Sequence, residues 1–128
     1  MSLEDFGPIT YETVSQTLSI AIPELRSEYE AELTAWRGET PGAYVIFDKL
    51  FTSYLDRLLS AGDHAGLERA FEYVECLARS EDRRVRDLVR VSVMEHLCDK
   101  REWLEAAPRF LGQASQTLFE EVRDWCSG

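Results

Sequence analysis

The sequence has few of the residues that build metal sites, disulfide networks and phosphate-binding loops. It contains three cysteines, two histidines and seven glycines in 128 residues. An odd, widely spaced set of cysteines predicts reduced thiols, because disulfide frameworks and zinc sites favour paired or closely spaced cysteines. The glycines do not cluster as a phosphate cradle requires, and no nucleotide-binding or zinc-protease motif occurs. We therefore expect no catalytic residue, no cofactor and no metal.

Long apolar runs are also missing. No stretch approaches the roughly 18 apolar residues of a membrane span. The first residues, Met1–Asp5, lack the basic start and apolar run of a secretory signal. These features predict a cytoplasmic protein with no membrane partner. Since 45% of the residues are hydrophobic, we expect a single domain over 1–128, with 1–9 as a flexible or weakly ordered N-terminal segment.

Positive charge is scarce: 14 Lys and Arg stand against 24 Asp and Glu, a net charge of −10. Such a surface repels nucleic-acid phosphates and anionic membranes, and it accelerates association with a basic protein. Ordinary solubility is the alternative explanation. Arginines cluster only at Arg79, Arg83, Arg84, Arg86 and Arg90. They either bind an anion or pair with neighbouring acids, and the net charge argues against nucleic acid.

Helical periodicity recurs from about residue 10 to the end and predicts an all-α fold of about six helices in antiparallel hairpins, a HEAT-like helical bundle. Thr10, Asp63 and Pro108 suit helix starts, and Gly62 suits a helix end. Residues 100–107 suit a connector or a short helical turn. The predicted helices span about 10–22, 23–36, 43–60, 63–78, 82–98 and 108–125.

The last of these helices is predicted to bury a face that includes Trp125, and the third is predicted to be central because it is the most apolar. His96 shares a helical face with Val89 and Val93. This position favours a hydrogen-bonded, partly buried side chain over a ligand or a base.

The second predicted helix carries Glu24, Glu28 and Glu32 at every fourth residue. Like charges at this spacing cost a few tenths of a kcal/mol each, so the row is a candidate for meeting a basic partner. Acids of the third helix extend it if the two helices form a hairpin, and bordering aromatics are typical interface anchors. A solvated face and core packing are the alternatives. The candidate partner-binding residues are Glu24, Glu28, Glu32, Trp36, Tyr44, Asp48, Tyr54 and Asp56.

One short motif is shared with helical repeats. The run Asp82-Arg83-Arg84-Val85-Arg86 resembles the Asp-x-x-Val-Arg opening of the inner helix in HEAT repeats. No second clear copy occurs, so the resemblance implies one HEAT-like hairpin and not a solenoid.

A wider resemblance rests on Pro23-Glu24-Leu25, on the run Pro-Gly-Ala-Tyr-Val-Ile-Phe at 41–47, and on Leu-Ala-Arg-Ser-Glu-Asp at 77–82. Together with Trp36, these residues resemble an uncharacterised bacterial helical domain family, of the kind associated with immunity proteins of polymorphic or contact-dependent toxins. The resemblance implies an inhibitor that covers the active site of a toxin, and no functional residue carries over from it.

Two other functions stay open. A HEAT-like groove could make the chain an adaptor or a self-associating scaffold, as a monomer or a homodimer. A buried carboxylate or histidine could instead serve a small enzyme. The sequence favours an acidic module that binds and neutralises a basic toxin or enzyme.

Overall fold

The computed structural model describes residues 8–37, 39 and 41–127. Within these ranges all regular structure is helical, which confirms the all-α class. The seventh helix, absent from the six predicted, lies in the segment 100–107. Short 3-10 turns precede α2 at Pro23–Leu25 and follow α6 at Ala107–Arg109. The helices are α1 Val14–Ala21, α2 Arg26–Ala35, α3 over 43–61, α4 His64–Ala78, α5 over 83–99, α6 Arg101–Ala106 and α7 Gln113–Ser127.

Two of the long helices contain a wider π-helical segment. In α3 it spans Phe47–Phe51, and in α5 it spans Val89–Met94. The two segments contact each other. Since π-helical turns are rare and occur often at functional sites, this contact singles out the α3–α5 boundary. No helix within the described ranges combines the length and apolar character needed to cross a bilayer.

Several helix ends follow the predicted local chemistry. Gly62 ends α3 in the left-handed region at φ +67°, and Asp63 accepts a hydrogen bond from the Gly66 amide at 2.9 Å. Asp82 caps α5, accepting from the amides of Arg84 at 3.0 Å and Tyr11 at 2.9 Å. The Arg84 side chain and these amides lower the pKa of Asp82 to about 2.

Other predicted boundaries are wrong. The first helix begins at Val14 and not near Thr10, whose carbonyl accepts turn hydrogen bonds from the amide and the hydroxyl of Thr13. Pro108 lies in a 3-10 turn, so the last helix begins only at Gln113. Its predicted buried face stops short of Trp125, which is 65% exposed.

The segment 1–9, predicted to be flexible or weakly ordered, is held in place at residue 9. Residues 1–7 lie outside the described residues. Ile9 is buried in the core, and its carbonyl accepts a hydrogen bond from Ser80 Oγ at 2.7 Å. The chain is therefore fixed to the α4–α5 turn from residue 9 onward.

Helix α4 shares the centre of the fold with α3, which was the predicted central helix. The fully buried Tyr73 packs against Phe47 and Phe51 of α3, and its hydroxyl bonds Thr17 Oγ1 of α1 at 2.8 Å. On its other side, Phe71 packs against Trp103. Burying each aromatic of this size contributes about 1.5–3 kcal/mol. Helix α4 thus joins α1, α3 and α6.

A carboxylate of α4 also holds the start of α7. Glu75 accepts hydrogen bonds from the amides of Ala114 at 3.1 Å and Ser115 at 2.8 Å, and from Ser115 Oγ at 2.8 Å. The free amides and the dipole at a helix N-terminus favour such a negative charge. A Cβ at Gly112 would lie 2.6 Å from the Glu75 carboxylate. Glycine at 112 therefore permits the close approach.

We predict that Gly112→Ala and Glu75→Ala each lower the free energy of unfolding by about 1–2 kcal/mol. The first displaces the carboxylate, and the second removes it. Once Glu75 is alanine, Gly112→Ala has nothing left to displace, so the two costs are not additive. Urea unfolding of the single and double variants measures the coupling. Glu72→Ala, an exposed change on the same helix, is the control and stays within about 0.5 kcal/mol of wild type. Additive costs would contradict this account.

Candidate functional site

Each glutamate of the predicted row faces a cation on α3 or α4. Glu28 lies 3.3 Å from Arg57 Nη1, and Glu24 contacts Arg69 Nη2 and accepts from the Tyr54 hydroxyl at 2.6 Å. The row therefore attaches α2 to the two central helices. This contact explains how α2 holds its place although none of its residues from 26 to 35 is fully buried.

Glu32 has the tightest surroundings in the row. It accepts from Lys49 Nζ at 2.8 Å and from Trp36 Nε1 at 3.0 Å. These two donors, Lys49 first, lower the pKa of Glu32. Its side chain is only 15% exposed, so most of this glutamate is already covered within the protein.

The two candidate tyrosines differ in accessibility. Tyr54 is buried, and burial and then its bond to Glu24 raise its pKa. Tyr44 is half-buried beside Tyr11, and burial before neighbouring negative charge raises its pKa as well. Of the predicted aromatic anchors, Tyr44 and Trp36 keep an exposed portion.

Asp56 lies at the centre of a separate polar cluster. It accepts from Trp103 Nε1 at 2.7 Å, from Lys100 Nζ at 3.0 Å, and bonds His96 Nε2 at 2.8 Å. Burial raises the pKa of Asp56, but the three donors together outweigh burial and lower it. His96 is thus the hydrogen-bonded, half-buried side chain that its position predicted.

Asp48 and Asp56 do not extend the glutamate row. The α3 side chains of Lys49, Tyr54 and Arg57 reach the row, whereas Asp48 and Asp56 lie toward α5. Two surfaces result: the glutamate row lies on one and Asp48 lies on the other, while Asp56 forms its own cluster with His96.

The second of these surfaces is a groove between α3 and α5 of about 600 Å³. Sequence reasoning missed it, because its walls come from both π-helical segments and from the end of α7. Three carboxylates separated along the chain contribute to it. The groove is lined by Asp48, Thr52, Val91, Ser92, Glu95, His96, Cys98, Asp99 and Cys126.

A histidine–carboxylate pair beside a serine raises the question of nucleophilic chemistry. Ser92 precedes His96 by one helical turn, and Asp56 bonds His96 in the way that orients a histidine base. Yet Ser92 Oγ has no hydrogen-bond partner in the described part of the chain. The serine and the histidine are therefore not joined by a hydrogen bond.

The arginine cluster ties elements of the fold together. Arg84 pairs with Glu12 at 2.7 Å, Arg90 pairs with Glu121 at 2.9 Å, and Arg86 donates to the Ser80 carbonyl at 2.6 Å. These bonds connect α5 to the turn before α1, to α7 and to the α4–α5 turn. Of the two alternatives that the sequence left for this cluster, pairing with neighbouring acids therefore fits the structure better than binding an anion.

We predict that Asp56→Asn lowers the free energy of unfolding by about 1–3 kcal/mol at pH 7, because the charged acceptor of three donors is lost. Since the folded pKa of Asp56 lies below its ordinary value, its charge stabilises the fold above about pH 4 and ceases to do so as pH falls below that range. The difference between wild type and variant should therefore shrink at low pH. Urea unfolding at pH 7 and near pH 3 measures it.

The control for that comparison is Asp48→Asn, an exposed carboxylate on the same helix. It should change stability little at either pH. A difference for Asp56→Asn that stays constant between the two pH values would contradict the assigned role of its charge.

A family model described as a domain of unknown function, DUF7674, matches residues 15–126. The match runs from the first turn of α1 almost to the end of α7. No curated protein and no solved structure matches the chain. Because the family model covers nearly the whole bundle, including both surfaces described above, the chain belongs to the DUF7674 family.

Proposed function

We propose that this chain is a protein-binding module for a basic partner, and that it acts in the cytoplasm as an immunity-type inhibitor of a toxin or enzyme. The observation that carries the proposal is the uneven distribution of negative charge over the surface. The protein has a net charge of −10, yet the predicted glutamate row is compensated by cations. The excess acid is therefore concentrated on other parts of the surface, among them the groove.

An excess of this kind favours a basic partner mainly through kinetics. Complementary potentials raise the association rate well above that of neutral surfaces, and salt reduces the gain. An inhibitor that must capture a toxin before the toxin acts benefits from fast association. Exposed parts of Trp36 and Tyr44 would add buried area once the complex forms.

One observation favours a self-associating scaffold as a second candidate. Trp125 is 65% exposed near the end of α7, and large exposed aromatics are typical of interfaces. If a homodimer forms through this side chain, light scattering gives twice the monomer mass at high concentration, and Trp125→Ala returns the mass to that of the monomer. A mass that stays that of the monomer at all concentrations would rule out the self-associating scaffold.

We expect affinity capture from the lysate of the source organism to recover one basic protein in stoichiometric amount. The purified pair should associate at a rate that falls about ten-fold or more between low and physiological salt. Stopped-flow measurements over a salt series determine this slope. If the partner is a toxin, equimolar addition of this chain abolishes its activity.

A partner of neutral or acidic charge, or an association rate independent of salt, would overturn the proposal. A basic partner that binds in this way but keeps its full activity would overturn only the inhibitory part. An acidic helical protein of similar net charge serves as the control and should not retain the partner.

The glutamate row gives a separate prediction. Reversing Glu24, Glu28 and Glu32 to lysine places cations beside Arg69, Arg57 and Lys49. We expect the Tm to fall by several degrees, because three attractions between α2 and its neighbours become repulsions between like charges. Reversing Glu30, whose only described ion pair lies within α2, is the control and should change Tm little. An unchanged Tm of the triple variant would show that the row is not structural.

A further inference from the structure

We infer that the groove between α3 and α5 binds an arginine side chain of the basic partner. The inference rests on the proposed function, since it assigns the place and the chemistry of the contact. It is carried by three observations that concern the same groove: uncompensated carboxylates, a buried hydroxyl without a partner, and an exposed aliphatic wall.

The carboxylates are Asp48, Glu95 and Asp99. Across the residues that the structure describes, none of the three forms an ion pair. This distinguishes the groove from the glutamate row, where each acid has a cation within reach. The groove therefore concentrates negative charge with no internal counter-ion, and a cationic group entering it would be attracted by all three side chains.

Cations do approach the groove from outside. Lys100 is bound to Asp56 at 3.0 Å, and Arg123 lies 3.9 Å from Asp124. The positive charge of Arg123 acts on the Cys98 thiol, whose pKa burial nevertheless raises to about 11. Lys100 is paired with Asp56, which does not line the groove, and neither cation forms an ion pair with Asp48, Glu95 or Asp99 among the described residues.

Ser92 is the second and independent observation. It is 3% exposed, lines the groove, and its Oγ has no hydrogen-bond partner in the described part of the chain. A buried hydroxyl in this state destabilises a fold, and native proteins contain few of them. It stands on the π-helical segment of α5, opposite the π-helical segment that carries Asp48. A ligand that donates a hydrogen bond to Ser92 Oγ would satisfy it.

The third observation concerns the shape of the ligand. Val91 lines the same groove and is 47% exposed. An apolar surface beside carboxylates suits a side chain with an aliphatic stem and a charged end. A guanidinium offers five N–H donors in a planar group, against three on an ammonium. Three carboxylates and one hydroxyl therefore match arginine better than lysine.

The test uses the full chain, labelled with ¹⁵N, and the small probe N-acetyl-arginine methylamide. We expect saturable chemical-shift changes at the amides of residues 89–99 and 48–52. The neutral isostere N-acetyl-citrulline methylamide has nearly the same shape and lacks the charge. It should bind about ten-fold more weakly or not at all.

Two variants sharpen the test. The double variant Glu95→Gln with Asp99→Asn should weaken binding of the arginine probe about ten-fold. The matched control is Glu68→Gln with Glu72→Gln, which removes two exposed carboxylates at the same i,i+4 spacing on α4. It should leave the affinity for the probe unchanged, and equal losses in the two double variants would reduce the effect to net charge and overturn the inference.

Ser92→Ala separates a ligand-binding role from a structural one. Removing the unpartnered hydroxyl should raise the Tm, and it should also weaken binding of the probe several-fold. A rise in Tm with unchanged affinity would remove Ser92 from the site and overturn the assignment. So would shift changes that map away from α3 and α5, or equal binding of the citrulline analogue.

The outcomes distinguish this inference from the proposed function. If a basic partner binds wild type and the Glu95→Gln, Asp99→Asn variant equally well, the groove is not its binding site, while the proposed function stands. If the arginine probe binds in the groove but no basic protein is recovered, the groove stands as a guanidinium site and the proposed function fails.

Discussion

This protein has fourteen Lys and Arg side chains for twenty-four carboxylates. The carboxylates that these cations pair with are neutralised, so the positions of the cations decide which surfaces stay acidic. The glutamate row forms ion pairs with Lys49, Arg57 and Arg69. Two further ion pairs, made by Arg84 and Arg90, connect α5 to its neighbours. An ion pair on the surface adds little stability, but each one removes a carboxylate from the charge available to a partner. The acidic surface that a partner meets is therefore smaller than the composition suggests, and it differs from the row visible in the sequence.

The features that sequence predicted correctly depend on neighbours along the chain. Gly62 and Asp63 end one helix and begin the next through bonds that span three or four residues. The partly buried state of His96 follows in the same way from its place beside Val89 and Val93. Glu28 and Glu32 lie one turn apart on α2 and Glu24 lies in the 3-10 turn before it, but the cations paired with them are 17 to 45 residues away. Periodicity gives the face and cannot give what packs against it.

The features that sequence missed depend on contacts between distant helices. Glu75 reads from sequence as one more exposed acid of α4, yet it holds the N-terminus of α7 because Gly112 leaves room for it. The predicted burial of Trp125 is wrong although the apolar pattern of α7 reaches it, because a pattern along one helix does not show which neighbours cover each position. The π-helical segments are beyond pattern reasoning as well, because they depart from the 3.6-residue period on which that reasoning rests.

These departures meet at one place. A regular bundle in which α3 and α5 kept the α-helical period throughout could place apolar residues along their whole contact. Instead, the helices face each other through two π-helical segments, and a hydroxyl is buried there without a partner. Three carboxylates line the same groove, and none of them forms an ion pair with a cation of the described residues. A buried hydroxyl without a partner opposes stability, and local rules of folding are broken mostly where function requires it. A bound guanidinium would satisfy the hydroxyl and the carboxylates at once, so a single ligand accounts for features that the fold alone leaves unexplained.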